Sequence, residues 1–151
     1  MVRETRVFLD TSVIFAAVYS EMGAARMILK LGEAGALHLC AGPNVLKEAD
    51  AVLTRKSPKS KPLFAVLLDR ARVRVGGTNW PDFLLQALRV VEYPPDARVL
   101  AEALAMGVDY LVSFDRKHLI DNPRLAALPF VLGTPGDFLA WYKDRLMQGP
   151  A

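Results

Sequence analysis

Four carboxylates stand where sequence pattern and chemistry converge. Asp10 closes the apolar run Val7-Phe8-Leu9, and Asp115 follows Leu111-Val112-Ser113 after one intervening Phe114. Asp96 stands behind the rigid pair Pro94-Pro95, and Glu48 lies beside the apolar stripe Val45, Leu46, Ala49, Val52 and Leu53, on the side of its helix expected to be buried. If the two apolar runs are parallel strands, Asp10 and Asp115 emerge on one sheet edge. Open α/β sheets place their sites there, near a topological switch point. No histidine or cysteine belongs to the set. Packed together, such carboxylates repel by about 4 kcal/mol per pair at ~4 Å and an effective dielectric of about 20. A hard divalent cation offsets that repulsion, and all-oxygen ligation suits Mg²⁺ or Mn²⁺. Ser12 and Ser113 are placed to orient the carboxylates or their waters. Metals held this way activate water for phosphodiester cleavage.

Each acid also has an ordinary role open to it. Asp10 and Asp96 suit helix N-caps, since Asp is a preferred cap. Asp115 suits a turn before Arg116-Lys117, and Glu48 a helical ion pair with Lys47 or Arg55. The joint pattern says more than any one member.

The elements that must hold these residues follow from periodicity. Short continuous apolar runs predict buried parallel strands at 7–9, 36–40, 73–75, 110–113 and 130–132. Helical spacing predicts helices at 13–19, 24–33, 44–54, 62–71, 83–91, from 96 to Gly107, and 137–147. Thr11 and Ser12 offer hydroxyl caps for the first helix. A single helical turn is predicted at 124–128, and 55–61 reads as a basic loop. Strands alternating with helices mean an α/β fold with a mostly parallel sheet. With 151 residues and no linker, one domain over 1–151 is expected.

Composition narrows the class. Hydrophobic residues make up 52% and charged residues 23%, which excludes intrinsic disorder. Cys40 is the one cysteine, so an intrachain disulfide framework is excluded and a reducing, cytoplasmic setting is expected. No apolar run is long enough for a membrane span, and Met1 to Arg6 lacks a signal-peptide pattern. The net charge of +3 permits a polyanionic partner without requiring one.

These residues carry a resemblance. The chain resembles PIN domains, the ribonuclease fold of many toxins of bacterial and archaeal toxin–antitoxin pairs. The matching blocks are Phe8-Leu9-Asp10-Thr11-Ser12, Val45-Leu46-Lys47-Glu48, Pro95 to Ala103, Gly107 to Asp115, and Thr134 to Leu139. The first and fourth are the specific ones. The resemblance implies that Asp10, Glu48, Asp96 and Asp115 are catalytic metal ligands. It further implies Mg²⁺- or Mn²⁺-dependent endonuclease action on RNA, a small antitoxin partner, and a dimer. Ser113 stands where the family usually has Thr.

Two other readings compete. One is a non-catalytic protein of the same fold that binds RNA or protein. The other is a phosphotransferase using Asp10 as nucleophile, which would need an Asp where Ser12 stands. Weaker features are the basic segment Arg55 to Lys61 and the cluster Arg116-Lys117-His118, both suited to phosphate contact. His118 as a general acid, and Asp109 and Asp121 as extensions of the acidic site, rank below their surface roles. His38 and Cys40 are expected to pack in the core. Trp80, Phe83, Trp141 and Tyr142 are expected in the core or on an oligomer face, with base stacking a lesser option for Trp80.

Overall fold

A computed structural model describes residues 4–149. Five strands form one sheet: β1 (Thr5–Leu9), β2 (Leu37–Ala41), β3 (Arg74–Val75), β4 (Tyr110–Val112) and β5 (Val131–Gly133). Their order is β3-β2-β1-β4-β5, and every pairing is parallel. The chain builds outward from β1 to β3, then returns to the other side of β1. The switch point therefore lies between β1 and β4. The two strands whose carboxyl ends carry Asp10 and Asp115 are neighbours, with Leu9 opposite Val112.

Among the described residues seven α-helices flank the sheet: α1 (Thr11–Tyr19), α2 (Ala24–Glu33), α3 (Pro43–Lys56), α4 (Lys61–Arg70), α5 (Leu84–Leu88), α6 (Pro94–Met106) and α7 (Pro135–Met147). On β2, Leu39 meets Gly32 of α2, while His38 and Cys40 line a 350 Å³ cavity with Met106 of α6. So α2 and α6 cover opposite faces. Val7, Phe8 and Leu9 of β1, and Leu111 and Val112 of β4, are fully buried, as a continuous apolar strand requires. On α7, Phe138 and Trp141 pack their rings against Tyr110, both with centroids 5.0 Å away.

Several boundaries differ from the pattern-based expectation. Asp10 is the N-cap of α1, the capping role the sequence left open to it, and Thr11 and Ser12, also offered as caps, lie inside the helix. Helix α6 starts at Pro94 with Tyr93 as its cap, so Asp96 lies in the first turn and caps nothing. Pro94 and Pro95 occupy first-turn positions, where a missing N–H costs nothing. The expected loop at 55–61 is absorbed: α3 runs to Lys56, a 3₁₀ turn spans Pro58–Ser60, and α4 begins at Lys61. The helix expected at 83–91 is a 3₁₀ turn at Trp80–Phe83 followed by the short α5. Gly107 ends α6 with φ +62°, the left-handed cap its lack of Cβ permits.

His38 is exposed and pairs with Glu4 instead of packing in the core. Cys40 is buried as expected, and burial pushes its thiol pKa up. Trp80, Phe83, Trp141 and Tyr142 pack against the core. Among the described residues, no single helix is long and apolar enough to cross a membrane.

Gly42, the cap of α3, shows how tightly this sheet edge is built. A Cβ there would fall 2.1 Å from the carboxyl carbon of Glu102, which is fully buried on α6. Gly42→Ala should therefore destabilise the protein by about 1–3 kcal/mol, the usual range for overpacking. Gly136→Ala, with nothing nearer than 3.9 Å, should not. Thermal unfolding of both variants checks this, and equal stability would mean that Glu102 can step aside.

Candidate active site

The site assembles where three helical N-termini meet the carboxyl ends of β1 and β4. Asp10 caps α1, Asp96 lies in the first turn of α6, and Asp115 caps a π-helical turn at Arg116–Ile120. Each N-terminus carries partial positive charge from its unpaired N–H groups. That partly offsets gathering negative charge at one place. Glu48, in the body of α3, is brought in by packing of α3 against α1 and α6.

Hydrogen bonds fix the pieces. Asp10 Oδ1 accepts from Thr11 N at 2.8 Å, and Asp10 Oδ2 accepts from Ser113 Oγ at 2.7 Å. Ser113 Oγ accepts the Asp115 N–H at 3.0 Å, so this fully buried hydroxyl bridges the ends of the first and fourth acidic positions. Asp115 Oδ1 accepts from His118 N at 3.0 Å. Thr11 Oγ1 donates to Glu48 Oε2 at 3.3 Å. Among the described residues, Ser12 Oγ makes no hydrogen bond to a carboxylate. Its Oγ accepts the Phe114 N–H at 3.2 Å, which ties β4 to α1.

Electrostatics join the four acids. Burial pushes the Asp10 pKa up to about 6, and the charges of Glu48 and Asp96 add to the rise. The Asp96 pKa is also raised, first by burial and then by Asp115, with Glu48 contributing. Glu48 itself is exposed, contrary to the expectation that it lies on the buried side of its helix. It faces the site from the rim.

Two features of the site go beyond the four-carboxylate set. Glu102 Oε2 accepts the Asn44 N–H at 2.7 Å, capping α3 from α6 in place of the side chain Gly42 lacks. Its pKa is pushed up to about 7 by burial, with Asp10 adding a smaller rise. The available signal was a glutamate flanked by alanines, Ala101-Glu102-Ala103, in the middle of a helix. The second is His118: one of its ring nitrogens and one oxygen each from Asp96 and Asp115 lie within 4.8 Å of one another. Asp109 instead accepts the Arg6 N–H at 2.8 Å, at the amino-terminal side of β1, and Asp121 is exposed beyond the π turn.

A divalent cation fits the donor set. Asp96 Oδ2 is buried and has no hydrogen-bond partner, which is costly for a carboxylate unless something cationic completes it. Asp10, Glu48, Asp96 and Asp115 offer oxygens only, the chemistry that Mg²⁺ and Mn²⁺ accept.

The PIN domain family profile matches residues 6–117, and the chain belongs to that family. Solved structures agree on the fold. A chain of the Rickettsia felis VapBC2 complex, bound to a DNA fragment from its promoter, superposes with a TM-score of 0.67 at 14% identity. That match covers 86% of this chain and 98% of that one. DNA-bound VapBC from Salmonella typhimurium gives 0.66 at 13% identity, over 87% and 98% of the two chains. VapC20 of Mycobacterium tuberculosis, a toxin that cleaves the sarcin–ricin loop, gives 0.53 at 20% identity, over 76% and 94%. No curated protein sequence matches the chain significantly.

Proposed function

We propose that the protein is a divalent-metal-dependent endoribonuclease whose catalytic residues are Asp10, Glu48, Asp96 and Asp115, acting as the toxin-like member of a toxin–antitoxin pair. The observation that carries this reading is the buried, unpartnered Oδ2 of Asp96 within a group of mutually repelling carboxylates. Membership of the PIN family and likeness in fold to VapC toxins support it. The antitoxin is a small protein by the same analogy, and a homodimer or higher oligomer is the expected assembly.

When bound, Mg²⁺ or Mn²⁺ supplies an activated water and stabilises charge on the leaving oxygen. The chain's residues do the rest. Asp10, locked by Thr11 and Ser113, presents a fixed carboxylate. Ser113 sets Asp115 in register with Asp10. Asp96 offers its unpartnered oxygen. Glu48, exposed on the rim and tethered by Thr11, is free to approach or to orient a water. Arg116 and Lys117, exposed beside Asp115, suit phosphate contact. Hydrolysis of this kind needs no protein nucleophile.

The test is incubation of the purified protein with single-stranded RNA and, separately, DNA. Cleavage of RNA in Mn²⁺ or Mg²⁺ that stops on adding EDTA is the expected result. Cleavage that persists in EDTA would sink the metal-dependent mechanism, and cleavage of DNA alone would sink the assignment of RNA as substrate.

A further inference from the structure

We propose that His118 is a nitrogen ligand of the divalent cation at this site, joining Asp96 and Asp115 and tilting the site toward Mn²⁺ over Mg²⁺. The proposal rests on the metal-dependent reading above and goes beyond the four-carboxylate set. Its basis is geometric. One imidazole nitrogen and one oxygen from each of the two carboxylates already lie within 4.8 Å of one another. Small side-chain movements then suffice to bring three ligand atoms around one ion.

His118 is also held in place from three sides. Its backbone N–H donates to Asp115 Oδ1 at 3.0 Å, and its backbone carbonyl accepts from Asn122 Nδ2 at 3.2 Å. The same Asn122 amide donates to Val90 O at 2.9 Å, anchoring the π turn to the segment before α6. The His118 ring stacks on Tyr93, the cap of α6, with centroids 6.1 Å apart and planes 29° off parallel. Yet His118 is exposed, so apolar burial is not what positions it. The π-helical turn itself is a rare geometry, frequent at functional sites.

The chemical consequence concerns metal choice. Mg²⁺ sheds water reluctantly and favours oxygen donors. Neutral imidazole is the commonest protein ligand of metals, and first-row divalent ions accept it more readily than Mg²⁺ does, Mn²⁺ the least strongly among them. A site with three or four carboxylates and one imidazole therefore gains more with Mn²⁺ than with Mg²⁺. Tyr93 acts as a positioning residue, fixing the plane of the ring.

The test is pulsed electron paramagnetic resonance on Mn²⁺ bound to the full chain, with calorimetric titration of Mn²⁺ and Mg²⁺ alongside. Bound Mn²⁺ should show coupling to a ¹⁴N nucleus, lost in His118→Gln and retained in His38→Gln. His38 is the only other histidine. His118→Gln should weaken Mn²⁺ binding by about tenfold or more and leave Mg²⁺ binding unchanged. Mn²⁺ that binds the parent without nitrogen coupling, or with coupling that survives His118→Gln, would overturn the proposal while leaving the carboxylate site intact. Failure of the parent to bind Mn²⁺ at all would overturn both.

Discussion

Asp10→Asn should cut metal-dependent RNA cleavage by at least about a hundredfold, a conservative figure taken from losses seen when only outer-shell partners of a metal are changed. A neutral amide is a poor ligand for a hard cation. The fold should not suffer, because the change removes a buried charge that Glu48 and Asp96 repel. Metal-free Asp10→Asn should thus melt above the metal-free parent, and added Mn²⁺ should raise its melting temperature far less. Asp115→Asn should lose activity comparably. Ser113→Ala should lose about 10–100-fold, because it frees both Asp10 Oδ2 and the Asp115 N–H from their shared hydroxyl. The measurements are cleavage rates with Mn²⁺ and melting curves with and without it. An Asp10→Asn protein that cleaves RNA at the parent rate would remove Asp10 from the catalytic set.

The second large effect is on stability against pH. Metal-free protein should be more stable near pH 5 than near pH 7.5, the reverse of what paired carboxylates usually produce. Asp10 has a folded pKa of about 6, raised from 3.8, and Glu102 one of about 7, raised from 4.5. In both cases the folded state holds its proton more tightly than the unfolded chain does. Between about pH 4 and 7 the native state therefore binds more protons, and stability falls as pH rises. Asp96 shifts in the same direction. Asp137 shifts the opposite way, through its bonds to Thr134, but it contributes only below about pH 4, where those bonds are lost on protonation. Each tenfold change in proton affinity is worth about 1.4 kcal/mol, so Asp10 and Glu102 together amount to several kcal/mol. Saturating Mn²⁺ should flatten the Asp10 part of this slope, because metal binding competes with protons for the same carboxylate. The Glu102 part should remain, and Glu102→Gln should remove it. Thermal melts from pH 4.5 to 8, with EDTA and with Mn²⁺, read both parts. A metal-free protein whose stability rises across this window would show that Asp10 and Glu102 are not proton-bound in the folded state.

The fold class was legible because it rests on local pattern. Val7-Phe8-Leu9 and Tyr110-Leu111-Val112 are apolar without alternation, which only a strand covered on both faces tolerates. Alternating helices then force parallel pairing. Boundaries were less legible where two local rules competed. At Pro94-Pro95-Asp96 the prolines read as extended chain with Asp96 as the cap, yet they occupy the first turn of α6, which tolerates their missing N–H. At 55–61, proline and serine suggested a loop, whereas a 3₁₀ turn joins two helices with little break. Glu48 was misplaced in burial for a related reason. Position along a stripe does not say how much of a long polar side chain reaches past its edge.

By itself, the sequence determined an α/β chain with carboxylates at the ends of two parallel strands. Residue type and period dictate both features before any long-range contact forms. Only the tertiary structure decided what those carboxylates meet. It placed β4 beside β1, so that Ser113 bridges Asp10 and Asp115. It set Glu102 under Gly42. It left one Asp96 oxygen buried without a partner and brought His118 to the same cluster. Those contacts join residues up to 103 positions apart, and their energies depend on burial and on charge across space, which no local pattern encodes.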